Sequence, residues 1–353
     1  MRLLFVQAGF GPGGAEKVIA MLSRHFAQRG ISVHVTAFSM PENGPYFDMH
    51  ETVETSAMNG RSGQFRRIAH VRSVVREYRP DIVISFLTKV NVVTLLATSG
   101  MRIPVIISER NNPRLQDAHP MWSKLQAVLG LRATKVVALT HKGLADLQPS
   151  LRWRGVVIPN PIVPFARVAS AHTGEAQRLV SIGRLVPQKG FDMLLKAMRR
   201  IHSACPDVTL TIYGEGAQRP ALEAQRDALG LETVVQLPGN TREMGEWAHE
   251  TDIVLATSRY EGFHNVIAEA TVSGIPVISF DCDYGPSDLI NHGQNGLLVP
   301  PGDVDKLAES ALRLIREPET RALMAARSQD MRDRLSPDRV FSEWDQLVSD
   351  VAQ

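Results

Sequence analysis

Residues 252–270 read Asp252-Ile-Val-Leu-Ala-Thr-Ser-Arg-Tyr-Glu-Gly-Phe-His-Asn-Val-Ile-Ala-Glu-Ala270. The apolar run 252–257 predicts a buried strand, and the pattern over 265–273 predicts the helix that follows it. A strand joined to a helix by a short loop is the repeating unit of a doubly wound parallel sheet. Ligands of such sheets bind at the carboxyl ends of the strands, which is where Glu261 lies.

The same stretch carries two carboxylates, Glu261 and Glu269, with seven residues between them. At 1.5 Å per helical residue they can stand roughly 12 Å apart, so one can reach a hexose and the other a ribose with a diphosphate between. The backbone N–H groups at the helix start, near 263–265, suit an oxygen-rich ligand. The alternative is an ordinary solvated helix face, whose first carboxylate is favoured by the helix dipole.

A second loop of the same kind lies upstream. Residues 178–182 predict a strand and 191–198 a helix, so Arg184 and Lys189 project from one strand-to-helix loop. Gly190 allows the backbone to approach whatever these two cations hold. Two cations placed there can neutralise a departing diphosphate. They can also be two surface residues, although a cation opposes the dipole at a helix start.

With both loops in place, the chain resembles the retaining GT-B glycosyltransferases of the GT4 family, also called glycosyl transferases group 1. The resemblance runs nearly from end to end. Four further segments match the family's C-terminal domain in the same order: 213–216, 237–240, 273–278 and 295–300.

The resemblance implies a role for each motif residue. Glu261 contacts the donor sugar together with the backbone of Gly262, Phe263, His264 and Asn265. Glu269 accepts hydrogen bonds from the ribose hydroxyls. Arg184 and Lys189 form the diphosphate clamp, which with Glu261 gives the catalytic set. These side chains supply the charge, so we expect no metal and no cofactor beyond the nucleotide-diphosphate sugar, which is the donor substrate.

A glycine-rich loop, 8–15, stands near the beginning of the chain between a predicted strand at 2–7 and a predicted helix at 16–29. Its glycines spell G-x-G-x-x-G, which raises the alternative of an NAD-dependent oxidoreductase. The next predicted strand, 32–38, ends without the acidic residue that would hold an adenosine ribose, and this disfavours that alternative. The resemblance instead implies that Gly13 and Gly14 turn backbone N–H groups towards the donor phosphate.

Length and periodicity predict an α/β protein of two Rossmann-like doubly wound domains, which in the GT-B arrangement face each other across a cleft. Residues 1–165 would form the acceptor-binding domain and 166–336 the nucleotide-sugar-binding domain. Residues 337–353 would form a helix crossing back to the first domain. Strands are predicted at 2–7, 32–38, 81–87, 103–108, 135–139, 178–182, 208–213, 234–237, 252–256, 276–280 and 297–299.

Composition narrows the class of protein. Two distant cysteines, Cys205 and Cys282, give no disulfide framework or metal cluster, and no apolar run reaches the length of a membrane span. The start of the chain predicts a strand better than a signal peptide, so we expect a cytoplasmic protein. Two D-x-D pairs, 281–283 and 303–305, could hold a divalent cation, but their setting favours a structural role.

Charge is unequally distributed. Residues 1–165 carry 20 Lys and Arg against 10 Asp and Glu, although the whole chain has a net charge of only +2. Six of the arginines in residues 1–165 lie in a predicted amphipathic helix at 61–79. Its apolar side would contain Phe65, Ile68, Val71, Val75 and Tyr78. The helix is either a solvated basic face or a peripheral contact with an anionic membrane on its inner, cytoplasmic side. No groove-reading motif accompanies the charge, so we expect no nucleic-acid partner.

One segment departs from the family pattern. Many GT4 enzymes have a His after the strand that corresponds to 104–107, whereas here Ser108-Glu-Arg-Asn-Asn-Pro113 follows. This form resembles a branch acting on polyprenyl-diphosphate-linked oligosaccharides. Glu109, Arg110 and Asn111 are therefore acceptor-side candidates, and the alternative is a simple strand-end turn.

The sequence thus predicts a retaining glycosyltransferase. It would move a hexose or N-acetylhexosamine from a nucleotide-diphosphate sugar, with UDP favoured, to a lipid-linked or surface glycan acceptor. Two alternatives stay open: a sugar-nucleotide epimerase or hydrolase of the same fold, and a catalytically silent scaffold that binds nucleotide sugars.

Overall fold

The computed structural model describes residues 1–58, 63–112, 114–115, 121–165, 174–241 and 245–353. The chain divides into two compact units. Unit 1 contains Met1–Pro161 and Asp338–Gln353, and unit 2 contains Ile162–Pro337.

Unit 1 is built on a parallel sheet whose strands alternate with helices. Its strands are β1 Arg2–Gln7, β2 Ser32–Ala37, β3 Glu54–Ala57, β4 Ile82–Phe86, β5 Val105–Glu109, β6 Lys135–Ala138 and β7 Gly155–Val157. Its helices are α1 Gly14–Gln28, α2 Gln64–Tyr78, α3 Thr88–Ala97, α4 Met121–Leu129, α5 His141–Ala145 and α6 Pro149–Arg152, with a 3₁₀ turn at Gly130–Arg132. The strand order is β3-β2-β1-β4-β5-β6-β7.

Unit 2 repeats the design. Its strands are β8 Arg178–Ile182, β9 Thr209–Tyr213, β10 Val235–Gly239, β11 Ile253–Ala256, β12 Val277–Phe280 and β13 Gly296–Val299, in the order β10-β9-β8-β11-β12-β13. Its helices are α7 Phe191–Ala204, α8 Arg219–Ala228, α9 Asn265–Val272, α10 Pro286–Leu289, α11 Val304–Arg316, α12 Pro318–Ala326 and α13 Gln329–Arg334, with 3₁₀ turns at Pro187–Lys189 and Glu246–Glu250.

The chain's last helix, α14 (Pro337–Ala352), packs on unit 1. Its indole Trp344 is fully buried in the same apolar cluster as Phe5 and Phe26 and stacks on Phe86 with ring centroids 6.0 Å apart. The other face of the unit 1 sheet is covered by α2 and α3, which bury residues such as Val71. Both faces of the sheet are therefore covered, as an all-parallel sheet requires.

The predicted fold class is confirmed, and the predicted strands lie within about two residues of the observed ones. Two short strands were missed, β3 and β7, which form the two edges of the unit 1 sheet. β3, Glu54-Thr-Ser-Ala57, has no continuous apolar run, and β7 is only three residues long. On the predicted apolar side of α2, Val71, Val75 and Tyr78 are buried, whereas Phe65 is 90% exposed. Arg61 lies outside the described residues.

No helix in the described ranges combines the length and the apolar character needed to cross a bilayer.

Candidate active site

The candidate site of unit 2 lies where the strand order reverses. The central strands β8 and β11 are neighbours. From β8 the chain continues through α7 to β9, and from β11 it continues through α9 to β12, so the two connections run towards opposite edges of the sheet. The loops that leave their carboxyl ends, 183–190 and 257–264, therefore lie side by side. This reversal is the position at which open α/β sheets bind ligands.

Hydrogen bonds tie these two loops together. The Arg259 N–H donates to the carbonyl oxygen of Gln188 at 2.7 Å, and the Gln188 side chain donates to the carbonyl oxygen of Tyr260 at 2.9 Å. The Thr257 hydroxyl donates to the carbonyl oxygen of Lys189 at 3.0 Å. The two loops form one polar platform rather than two independent turns.

Gly190 allows the close approach of these two loops, and Gly214, just after β9, allows a third segment to approach the first loop. Gly190 has a φ of 65°, and a Cβ there would overlap the carbonyl oxygen of Thr257. Gly214, with a φ of 139°, lies equally close to the carbonyl oxygen of Gly183. Only glycine satisfies both the positive φ and the lack of space.

Lys189 and Glu261 form a buried ion pair between the two loops. The Lys189 ammonium lies 2.5 Å from Oε1 of Glu261, and their side chains are only 15% and 9% exposed. The Ser258 hydroxyl donates to the same oxygen at 2.6 Å. Among the described residues, the second carboxylate oxygen, Oε2, has no hydrogen-bond donor, so it can accept from a ligand hydroxyl.

The ion pair fixes the charge of Glu261. Burial by itself raises the pKa of this carboxyl, but the nearby charge of Lys189, with the hydrogen bonds from Lys189 and Ser258, outweighs it and brings the pKa to about 2. Glu261 is therefore a carboxylate at neutral pH and cannot serve as an acid.

His264 completes the cluster at the start of α9. Its φ of 71° places it in the left-handed region, and its Nε2 lies 3.4 Å from the Ser258 hydroxyl and 3.7 Å from Oε1 of Glu261. Burial lowers the pKa of His264 to about 4, so the ring is neutral at pH 7. Its Nδ1 is buried without a hydrogen-bond partner in the described chain.

The other predicted donor-binding residues lie around this cluster. Arg184 is exposed, and in the part of the chain that the structure describes its guanidinium has no ion-pair partner. Phe263 is buried, whereas Gly262, Asn265 and Glu269 are half-buried. Glu269 lies in α9, one turn from its end at Val272.

In unit 1 the strand order also reverses, here between β1 and β4. The glycine-rich loop leaves the carboxyl end of β1, and α1 begins at Gly14 with Gly13 as its N-cap. The Glu16 carboxylate folds back over Gly13 into the space that a Cβ would occupy there. Gly13 and Gly14 are thus at the helix start, where the sequence predicts an anion.

Glu109 and Arg110 lie at the carboxyl end of β5 and are both buried. The Glu109 carboxylate accepts hydrogen bonds from Thr88 at 2.8 Å, from Gln126 at 2.7 Å and from the Arg110 N–H at 3.2 Å. Burial raises the pKa of Glu109, and these donors oppose the rise. Asn111 is exposed beside them.

Arg110 is buried without a carboxylate partner among the described residues. Its guanidinium lies 3.8 Å from the centre of the Phe86 ring, bonds to Ser108 and Asn160, and leaves one terminal nitrogen, Nη2, without an acceptor. Burial lowers the pKa of Arg110 to about 9. A buried guanidinium that lacks a counterion is suited to an anionic ligand.

Two family models together match most of the chain. Residues 176–317 match the model of the Glycosyl transferases group 1, and residues 12–164 match that of Glycosyltransferase Family 4. The chain belongs to the group 1 glycosyltransferases.

Similar glycosyltransferases cover nearly the whole chain. An uncharacterized glycosyltransferase of Haemophilus influenzae is 25% identical over 94% of this chain and 95% of its own length. The amylovoran biosynthesis glycosyltransferase AmsD of Erwinia amylovora is 23% identical over 98% and 99%. The fold matches that of Anabaena HepE, solved in complex with UDP-glucose, with a TM-score of 0.84, 23% identity and coverage of 99% and 100%.

One D-x-D pair of this glycosyltransferase, 303–305, makes structural contacts. Asp303 accepts a hydrogen bond from the Lys306 N–H at 2.9 Å and so caps α11, and Asp305 pairs with Arg200. In the described ranges, no three His, Cys, Asp or Glu side chains gather in a metal-binding geometry.

Sequence reasoning missed several supporting residues of this glycosyltransferase. Ser258 shares the Glu261 oxygen with Lys189, while Thr88, Gln126 and Asn160 hold Glu109 and Arg110. They come from other loops and helices, and no sequence spacing links them to their partners. A polar residue following a strand, as Ser258 does, was the one available signal.

The neutral state of His264 predicts how unit 2 responds to acid. An unfolded histidine has a pKa near 6.5 and takes up a proton that folded His264 does not accept until about pH 4. Proton uptake by this histidine therefore costs no stability above pH 6.5. Between pH 7 and pH 5 it should lower the free energy of unfolding by about 2 kcal/mol. Glu261 adds no slope in this window, because its stabilisation is lost only as the pH falls from about 4.5 towards 2.

Urea unfolding at pH 7 and pH 5 measures this loss, with His264→Asn as the comparison. Asparagine tolerates a positive φ and does not titrate. The variant should lose less stability than the native protein between pH 7 and pH 5. An equal loss in both proteins would show that His264 is not its source.

Proposed function

We propose that this glycosyltransferase transfers a hexose or N-acetylhexosamine from a UDP-sugar to a lipid-linked or surface glycan, with retention at the anomeric carbon. The observation that carries the proposal is the pair of joined loops at the strand reversal of unit 2. They hold an exposed cation, Arg184, a half-buried ammonium, Lys189, and an ionised carboxylate, Glu261, within one platform. Support for UDP comes from the Anabaena neighbour, which was solved with UDP-glucose.

Each group has a distinct task in this proposal. Arg184 and Lys189 neutralise the leaving diphosphate, which is electrostatic stabilisation of the transition state. The available oxygen of Glu261 accepts from a hydroxyl of the transferred sugar, while its other oxygen keeps Lys189 in place. Glu269, eight residues further along the chain, accepts from the ribose hydroxyls.

The transfer itself needs no protein nucleophile. The bond from the anomeric carbon to the diphosphate oxygen breaks as the acceptor oxygen attacks the same face of the sugar. The acceptor proton passes to the leaving diphosphate. Glu261 remains ionised and paired with Lys189, so its part is to orient the sugar and the ammonium.

On the acceptor side, we place Glu109, Arg110 and Asn111. The uncompensated guanidinium of Arg110 matches an acceptor that carries its own phosphate, as a lipid-diphosphate glycan does. The names of two relatives support a glycan acceptor: AmsD is named for amylovoran biosynthesis, and LpsE of Rhizobium meliloti, 25% identical, for lipopolysaccharide core biosynthesis.

Acceptor-dependent release of UDP tests the proposal. The protein is incubated with UDP-glucose, UDP-galactose and their N-acetylamino forms, with and without polyprenyl-diphosphate-linked glycans, and UDP is measured. We expect release from one donor only when acceptor is present. Release without acceptor would identify a hydrolase, conversion of the sugar without UDP release an epimerase, and donor binding without turnover a scaffold.

The same assay tests whether a metal is needed. Because the proposed clamp consists of side chains and helix starts, we expect the rate to stay within about twofold after EDTA treatment. Loss of activity in EDTA that Mg²⁺ or Mn²⁺ restores would contradict the side-chain clamp.

A further inference from the structure

One surface of unit 1 gathers apolar side chains that the fold does not bury. Met121, Leu125 and Val128 recur along one side of α4 and are 50%, 36% and 70% exposed. Leu131, in the 3₁₀ turn that follows, is 61% exposed, and Trp153, just after α6, is 87% exposed. These five are among the eleven large apolar residues that are exposed in the described chain. We call them the α4–α6 patch.

Tight packing holds the elements of the patch together. A Cβ at Gly130 would overlap the side chain of Leu151, so α6 lies directly against the turn. The Ser150 hydroxyl donates to the carbonyl oxygen of Ala127 at 2.6 Å, which ties α6 to α4. The exposure of the patch therefore belongs to a fixed part of the fold rather than to a loose loop.

The patch lies among basic side chains. Lys124 shares the exposed side of α4 with Leu125 and Val128. Arg132 and Arg152 are exposed on the turn and on α6, where they also donate to the carbonyl oxygens of Thr98 at 3.2 Å and Ala145 at 3.0 Å. The single acidic residue between positions 121 and 154 is Asp146, which pairs with Arg114 at 2.7 Å. An apolar centre with a basic border matches the layers of an anionic bilayer surface.

The basic helix α2 is less suited to that task than its sequence suggests. Arg72 donates to the carbonyl oxygens of Ala97 and Ser99 at the end of α3, at 2.8 and 3.0 Å. Arg67 lies over the Phe38 ring, 5.1 Å from its centre. Because arginines of both surfaces donate to the fold, the difference between the surfaces is apolar: Phe65 is the large exposed apolar side chain of α2, whereas the α4–α6 patch has five.

We propose that the α4–α6 patch attaches unit 1 to the surface of an anionic phospholipid bilayer. Trp153, Leu131 and Val128 enter the interfacial layer, where an indole is well accommodated, and the basic side chains contact lipid phosphates. The proposal deepens the proposed function, since a lipid-linked acceptor is presented at such a surface. It places the attachment on α4, the turn and α6 instead of α2.

Sedimentation with vesicles at low salt tests this surface. The native protein should bind vesicles of equal parts phosphatidylglycerol and phosphatidylcholine, and should not bind phosphatidylcholine alone. The triple variant Val128→Ser, Leu131→Ser, Trp153→Ser should bind at least about tenfold more weakly. A matched control, Tyr46→Ser, Phe65→Ser, Leu323→Ser, removes exposed apolar residues elsewhere and should bind as the native protein does.

Tryptophan emission gives a second readout. Trp153 emission should shift to the blue when anionic vesicles are added, and the shift should disappear in Trp153→Phe although this variant still binds. The double variant Arg66→Gln, Arg76→Gln on α2 should bind normally. Native-like binding by the patch variant, or loss of binding through the α2 variant alone, would overturn the proposal.

Two further measurements keep the outcomes separate. Light scattering without lipid should show the same mass for the native protein and the patch variant. A dimeric native protein with a monomeric patch variant would show that the patch binds a second copy of the chain instead. UDP release with a water-soluble acceptor should be unchanged in the patch variant. Absent transfer with intact vesicle binding overturns only the proposed function, and intact transfer without vesicle binding overturns only this surface.

Discussion

Lys189→Met should unfold more readily than the native protein. Its kcat/KM for sugar transfer should be at least about a hundredfold lower, which corresponds to about 2.7 kcal/mol of transition-state stabilisation. The stability loss follows from the buried ion pair: the substitution leaves the Glu261 carboxylate, 9% exposed, without its cation. Breaking such a pair from one side costs about 3–5 kcal/mol. Thermal and urea unfolding measure the first effect and UDP release the second.

The double variant Lys189→Met, Glu261→Gln separates the two effects. It removes both charges, so most of the stability should return while transfer stays slow. Native stability in Lys189→Met would show that the pair is not closed in solution. Equal loss of stability in the single and double variants would indicate a packing defect in place of an unpaired charge.

Arg184→Ala should lower kcat/KM by about a hundredfold and leave unfolding unchanged. Arg184 is exposed on the loop after β8 and, within the described ranges, has no ion-pair partner, so its removal strands no buried charge. Its expected role is confined to the leaving diphosphate, and the variant should bind UDP more weakly. Titration of UDP and the acceptor-dependent assay give the two values.

Arg199→Ala provides the matched control for Arg184→Ala. Arg199 is an exposed arginine on α7 in the same unit, and its removal changes the net charge equally. We expect normal transfer by this variant. If Arg184→Ala also transfers normally, the diphosphate clamp is wrongly assigned. If Arg199→Ala is as slow as Arg184→Ala, the effect comes from net charge alone.

The sequence was a good guide where a local pattern reports burial. Central strands such as β8 and β11 are buried on both faces and read as short apolar runs, so their positions and the loops after them could be predicted. The edge strand β3, Glu54-Thr-Ser-Ala57, has no such run and was invisible. Its pairing depends on β2, which no local pattern reveals.

The residues that form the site could be predicted from the sequence, but their ion pairs and buried charges could not. Spacing within 258–270 identified Glu261, yet its pairing with Lys189 joins loops that are 72 residues apart in sequence. The sequence assigned Lys189 to the diphosphate clamp, but it could not reveal that this half-buried ammonium is also the ion-pair partner of Glu261. The same limit applied to Arg110, whose lack of a counterion could not be read from its neighbours in sequence.

The helix α14 has a consequence for synthesis of the protein. Trp344, fully buried against Phe86, belongs to the core of unit 1, yet it is translated only after the whole of unit 2. Unit 2 is continuous and can finish folding on the ribosome, as domains generally fold in order of emergence. Unit 1 thus emerges before unit 2 but is completed after it, and until then the apolar residues that α14 covers form a surface that a chaperone can recognise.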